Sequence, residues 1–191
     1  MLRSRWLIHA VLTAPAVGMA VALVLGRLGV DPLDRLIDLT GLTAAVLLVV
    51  VLSLTPLARG FRGQGWIADL NRHRRAFGVS AFWYASGHLL AHLLYEGGLA
   101  WLTDSLDKPF IVAGLVAWTI LLVLSVTSLQ VWVKRLGGRR WKSLHRLAYV
   151  AAALVAYHLA VAGKGNPGLA LGLFGSLLII QTLRWVPRRS S

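Results

Sequence analysis

Six apolar stretches alternate with short polar connections along the chain, at residues 7–26, 41–58, 76–95, 110–133, 146–163 and 168–186. Each approaches the roughly 20 residues that an α-helix needs to cross the hydrocarbon core of a bilayer; the second and fifth are the shortest. The last two are divided by GKGNPG, a Gly/Pro turn that stops one helix before the next begins. Pro15 and Pro56 fall within or at the end of a stretch. Membrane helices tolerate proline where neighbouring groups satisfy the freed carbonyls. Between the first two stretches, GVDPLDRLIDLTG predicts a short amphipathic piece on the outer surface. The pattern predicts an all-α protein: an integral membrane six-helix bundle, a single domain over residues 1–191 with no internal repeat and no soluble domain. The first stretch follows a basic start, MLRSRW, but is long and lacks a small-residue cleavage site, so it reads as a span and not as a signal peptide.

Composition agrees. Hydrophobic residues make up 57% of the chain and charged residues 14%, against about 25% charged in soluble domains. No cysteine is present, which excludes disulfides, thiolate ligation of iron and thiol redox chemistry. A net charge of +13 would suggest nucleic acid in a soluble protein. Here the charge sits in short connections between spans, so membrane topology accounts for it and nucleic acid is not a partner. Sixteen of the twenty basic residues fall on one side: Arg3 and Arg5, the connections around Arg59–Arg75 and Lys134–Arg146, and Arg184, Arg188 and Arg189. The other side keeps Arg27, Arg35, Lys108 and Lys164, with six of the seven acids. The positive-inside rule therefore places both termini in the cytoplasm. Trp6, Trp66, Trp101, Trp132, Trp141 and Trp185 lie near the expected interfaces, as aromatic belts do.

Histidine carries the chemistry. His88 lies within FWYASGHLLAHLLYE and His158 within LAYVAAALVAYHLAVAG, where an imidazole is costly and marks function. The third and fifth stretches run in the same direction. His88 is 12 residues beyond Ala76, and His158 is 12 beyond Arg146. At the rise of a helix both lie about 18 Å in, past the midplane toward the outer face. Two imidazoles at one depth on neighbouring helices suit the axial positions of a haem iron; the bland alternative is an interhelical hydrogen bond. His145 stands 13 residues before His158 at the basic mouth of the same stretch, about 20 Å away. There it suits a second haem, although the two imidazoles would stand about 140° apart around an ideal helix. His92, one turn beyond His88, is a further candidate, as an alternative ligand or a partner for a haem propionate. His73 in NRHRR and His9 read as a loop residue and an unpartnered one. No carboxylate lies deep in a stretch, which argues against a proton-relay pump or ion-coupled transporter. No GxGxxG opens a βαβ unit, so the chain carries no nucleotide domain of its own.

With these residues placed, the chain resembles the MsrQ (YedZ) family, within the ferric-reductase-like transmembrane group. The resemblance rests on GVDPLDRLIDLTG, LSLTPLARG, RRAFG before His88, VAWTILLVLSVTS and, most specifically, RRWKSLHRLAYVAAALVAYH. It implies a b-type cytochrome of the bacterial inner membrane that binds one or two haem b groups and is linked to FMN. His88, His145 and His158 coincide with the family's haem-ligand positions. The family takes electrons from a cytoplasmic flavin reductase or from quinone. It passes them to the periplasmic molybdopterin enzyme MsrP, which repairs methionine sulfoxide in oxidised periplasmic proteins. The chain departs from the pattern at TGLTA, where relatives carry a basic residue after the glycine, and at His92, which is additional. Two other readings stand beside this one: a stand-alone ferric or quinone reductase on the same haem core, and a non-redox transporter or assembly protein with structural histidines.

Overall fold

The computed structural model describes residues 2–61, 64–162 and 165–185, with side chains from Trp6 onward. Of the basic residues in the charge asymmetry, Arg62, Lys164, Arg188 and Arg189 lie outside the described residues, and Arg3 and Arg5 outside the described side chains. The described chain is all helical. In order it forms α1 (Leu2–Val24), α2 (Pro32–Gly60), α3 (Gly65–Arg72), α4 (Arg74–Tyr95), α5 (Leu99–Asp104), α6 (Pro109–Thr127), α7 (Gln130–Leu144), α8 (Leu147–Val161) and α9 (Pro167–Gln181), which ends in a 3₁₀ turn, Thr182–Trp185.

Four segments are long and apolar enough to cross a membrane: Trp6–Val24, Pro32–Gly60, Pro109–Thr127 and Pro167–Trp185. A fifth is the pair α7 and α8, bent by 44° at its break. The outward surface is apolar, as lipid contact requires: Trp6, Val24, Leu171 and Ile179 are all more than two-thirds exposed. The core is drawn from α2, α4, α6, α8 and α9, with Leu48, Leu52, Phe82, Leu121, Ala151 and Phe174 at its centre. The most extensive helix contact is α2 on α4, followed by α6 on α8, and α4 also packs on α6. By contrast, α4 and α8 are less closely packed than those pairs and meet through side chains, with Phe82, Ala151 and Ala152 in the same buried cluster.

Local chemistry sets the boundaries. Asp31 caps α2 by accepting from the Asp34 amide at 3.1 Å, ahead of Pro32 in the first turn. Asn166 does the same for α9, accepting from Leu169 at 2.8 Å ahead of Pro167. These caps correct one expectation. The segment after Asp31 is no separate surface piece, because the cap starts a helix that runs unbroken through 29 residues to Gly60. The fourth apolar stretch is also shorter than its hydropathy suggests. α6 stops at Thr127, and residues from Gln130 begin α7, which turns sharply at Gly137 with φ 72°.

Side chains of neighbouring helices bond the backbone beside both intramembrane prolines. Pro15 interrupts α1, and the Tyr84 hydroxyl of α4 inserts there, donating to the Leu12 carbonyl at 2.8 Å and accepting from the Ala16 amide at 3.0 Å. Pro56 has no N–H to give the Leu52 carbonyl four residues back, and the Gln181 side chain of α9 donates to it instead at 3.1 Å.

Candidate functional site

His88 projects from α4 and His158 from α8, and the two side chains approach each other between those helices. Their ring centres are 6.0 Å apart, with the ring planes nearly perpendicular at 87°. Each ring is fixed by the same device from the helix behind it. The His88 Nδ1 lies 2.9 Å from the Ile37 carbonyl of α2, and the His158 Nδ1 lies 2.8 Å from the Phe110 carbonyl of α6. A carbonyl only accepts, so each Nδ1 carries the proton and each Nε2 keeps a free lone pair. Four residues beyond each carbonyl stands a glycine. A Cβ on Gly41 would meet the His88 Nδ1 at 2.8 Å, and one on Gly114 would meet the His158 Nδ1 at 3.0 Å. The imidazoles are therefore seated in glycine notches, with backbone carbonyls setting their tautomer. Metal-bound histidines are oriented in this way.

The arrangement suits one metal ion between two nitrogens. An imidazole nitrogen binds a metal at about 2 Å, and the ring centre lies a little over 1 Å further back, so two opposed ligands place their ring centres about 6 Å apart. Among the described residues no cluster of three or more His, Asp or Glu side chains could hold a metal. What the pair offers is two imidazole nitrogens whose lone pairs are not committed to the backbone.

The other sequence-predicted residues separate into two places. His92 lies beside the pair, its ring 6.2 Å from that of His88 and 4.4 Å edge-on from Trp101 of α5. His145 lies apart, in the break between α7 and α8. Its ring packs on Trp141 at 4.0 Å, its Nε2 is 3.3 Å from the Thr127 hydroxyl, and Arg74 at the head of α4 is near enough to be felt. Because His145 ends α7 instead of beginning α8, the angular offset expected of one straight helix does not apply. His73 joins α3 to α4 at the same basic end, and His9 is exposed on α1. Sequence reasoning missed Gly41, Gly114 and the Ile37 and Phe110 carbonyls. The glycines inside apolar stretches were a readable signal; the carbonyls were not.

Comparison with known proteins gives the chain a class. The family described as ferric reductase like transmembrane component matches residues 40–156, a span that holds His88, His92 and His145 and stops two residues short of His158. The chain is thus a multi-pass membrane protein of the ferric-reductase-like class. Within that class it is 36% identical over 185 residues, 94% of this chain and 81% of the relative, to a protein of Brucella anthropi named protein-methionine-sulfoxide reductase heme-binding subunit MsrQ. A Brucella ovis protein of the same name is 37% identical over 165 residues, covering 85% of this chain and 72% of the relative. The chain belongs to the MsrQ family. No solved structure matches it.

Proposed function

We propose that this protein is the haem-binding membrane subunit of a methionine sulfoxide reductase system, carrying electrons across the bacterial inner membrane to a periplasmic partner of the MsrP kind. The observation that carries the reading is the His88–His158 pair: two imidazoles at 6.0 Å, each with Nδ1 committed to a carbonyl and Nε2 free. The relatives are named heme-binding subunits, and the donor set suits that group: two neutral imidazoles on neighbouring apolar helices. His88 and His158 hold the iron of an outer haem b. His145, in the basic break before α8, holds an inner one. Haem supplies a one-electron couple when bound; the chain supplies ligands, a dry surround and spacing.

We take α1, α2, α4, α6, α8 and α9 as six spans, the short α8 being entered across its 44° bend from α7, with both termini cytoplasmic in keeping with the loop charges. α3, α5 and α7 lie at the interfaces. Electrons enter at the basic side, where Arg74 lies near His145 and Arg139, Arg140 and Lys142 precede it in α7, from a flavin reductase carrying FMN or from quinone, and leave at the acidic side. A second reading, a stand-alone ferric or quinone reductase, is favoured only by the name of the matched family.

A reduced-minus-oxidised spectrum of the purified protein tests the proposal. It predicts b-type α and Soret bands, with the same centre removed by His88→Ala and by His158→Ala. Absence of those bands after expression with ample haem overturns it, as does full haem content in both variants. Co-purification with a periplasmic molybdopterin reductase separates the first reading from the second.

A further inference from the structure

His92 has a structural peculiarity that the ligand pair does not explain. It sits one turn outward of His88 on the same helix face. Its Nδ1 is enclosed, yet it has no hydrogen-bond partner. Folded chains rarely leave such an atom unpaired, because its lost hydration is not recovered. The ring is nonetheless firmly placed. After α4 the chain reverses through Gly97 and Gly98, at φ 86° and 113°, and this brings Trp101 of α5 edge-on to His92 at 4.4 Å. Glu96, the residue that caps α4, is exposed; its backbone amide donates to the His92 carbonyl at 3.0 Å, which leaves the His92 ring Nδ1 still unpartnered among the described residues. Among the described residues the histidines form no three-membered metal cluster. The site therefore contains a ring that is held in place, next to the ligand pair, with one polar atom unspent.

We propose that His92 is a recognition residue for the carboxylate edge of the porphyrin, its Nδ1–H donating to a propionate while Trp101 fixes the ring. This rests on the haem reading of His88 and His158. A neutral N–H donor aimed at a carboxylate makes a charge-assisted hydrogen bond, among the stronger kinds. It selects a porphyrin that carries free acids and fixes its rotation about the axis between the two ligands. His92 is thus a positioning residue and leaves iron ligation to the pair.

The test compares binding of haem b and of its dimethyl ester, in which both propionates are blocked, to protein purified after expression under haem limitation. Wild-type protein is expected to prefer the free acid by about tenfold, the scale of one charge-assisted hydrogen bond. His92→Phe keeps a ring against Trp101 without an N–H and should bind both forms alike, with the bis-imidazole spectrum retained. His92→Gln restores a donor and should recover most of the preference. Equal binding of the two forms by wild-type protein overturns the inference, and so does an unchanged preference in His92→Phe. If wild-type protein takes up neither form, the haem reading itself fails and the inference falls with it. If it takes up both with the bis-imidazole spectrum but without preference, only the inference fails.

Discussion

Gly41 of α2 lies directly beneath the imidazole of His88, so close that a Cβ there would stand 2.8 Å from Nδ1. The ring could not keep its bond to the Ile37 carbonyl with a methyl group at that distance. Gly41→Ala should therefore swing His88 away from His158. Alanine gains about 1 kcal/mol of helix propensity over glycine. Overpacking costs about 1–3 kcal/mol, and the lost hydrogen bond about 1 more, so the loss wins. Haem per protein should fall by about half or more. Gly114→Ala, at 3.0 Å from the His158 ring, should do the same more mildly. Gly175→Ala in α9, with nothing within 4 Å of its Cβ, is the control and should leave haem unchanged. The α-band amplitude per protein measures all three; equal content in Gly41→Ala and Gly175→Ala would contradict the notch.

The Tyr84 hydroxyl fastens α1 to α4 at the break made by Pro15. α1 otherwise packs only lightly on the bundle, so this bond bears on whether the helix stays in place. Tyr84→Phe should lower thermal stability by about 1 kcal/mol, within the range of interhelical hydrogen bonds in membranes. Replacing Pro15 as well, by alanine, lets the Ala16 amide return to the Leu12 carbonyl, so the double variant should recover most of the loss. Additive loss in the double variant would show that the hydroxyl does not substitute for the helix's own bond.

Gln181 plays the matching part at the other proline. Gln181→Leu leaves the Leu52 carbonyl without a donor at the centre of the α2–α9 contact. A loss of about 1 kcal/mol is expected, and Pro56→Ala, which gives back an N–H four residues on, should suppress it. Unfolding temperature in detergent decides the point. A Gln181→Leu variant that loses stability equally in both backgrounds would mean that the side chain acts through packing alone.

Much of this was legible in the chain, and the reason is physical. Hydropathy set the first, third, fifth and sixth stretches close to where α1, α4, α8 and α9 stand, and equal depth brought His88 and His158 together. A weakened run of helix bonds at Pro15 and Pro56 was also readable, because proline's ring and missing N–H are properties of the residue alone. Which partner answers was not, since Tyr84 and Gln181 are 69 and 125 residues away in sequence and only packing joins them. The continuous start of α2 was misread because Asp31, Asp34, Arg35 and Asp38 look like a surface segment, whereas the Asp31 cap and Pro32 nucleate a helix there. The carbonyls of Ile37 and Phe110 left no trace at all: every residue has one, and only the fold selects two.

His145 separates the inner end of the site from the outer. It stands in the break between α7 and α8, against Trp141 and Thr127 and not against the deep pair. A variant there should spare the outer centre. If the protein holds two haems, His145→Ala should reduce the haem-to-protein ratio from two toward one and leave the spectrum of the His88–His158 centre unchanged, whereas His88→Ala should remove that centre and spare the inner one. A ratio of one in wild-type protein, with no change in His145→Ala, would assign His145 to its Thr127 contact and leave a single haem in the outer half. Full loss of haem in His145→Ala would instead show that the two ends fold as one unit, because the bend that carries His145 also sets the direction of α8 and with it the place of His158.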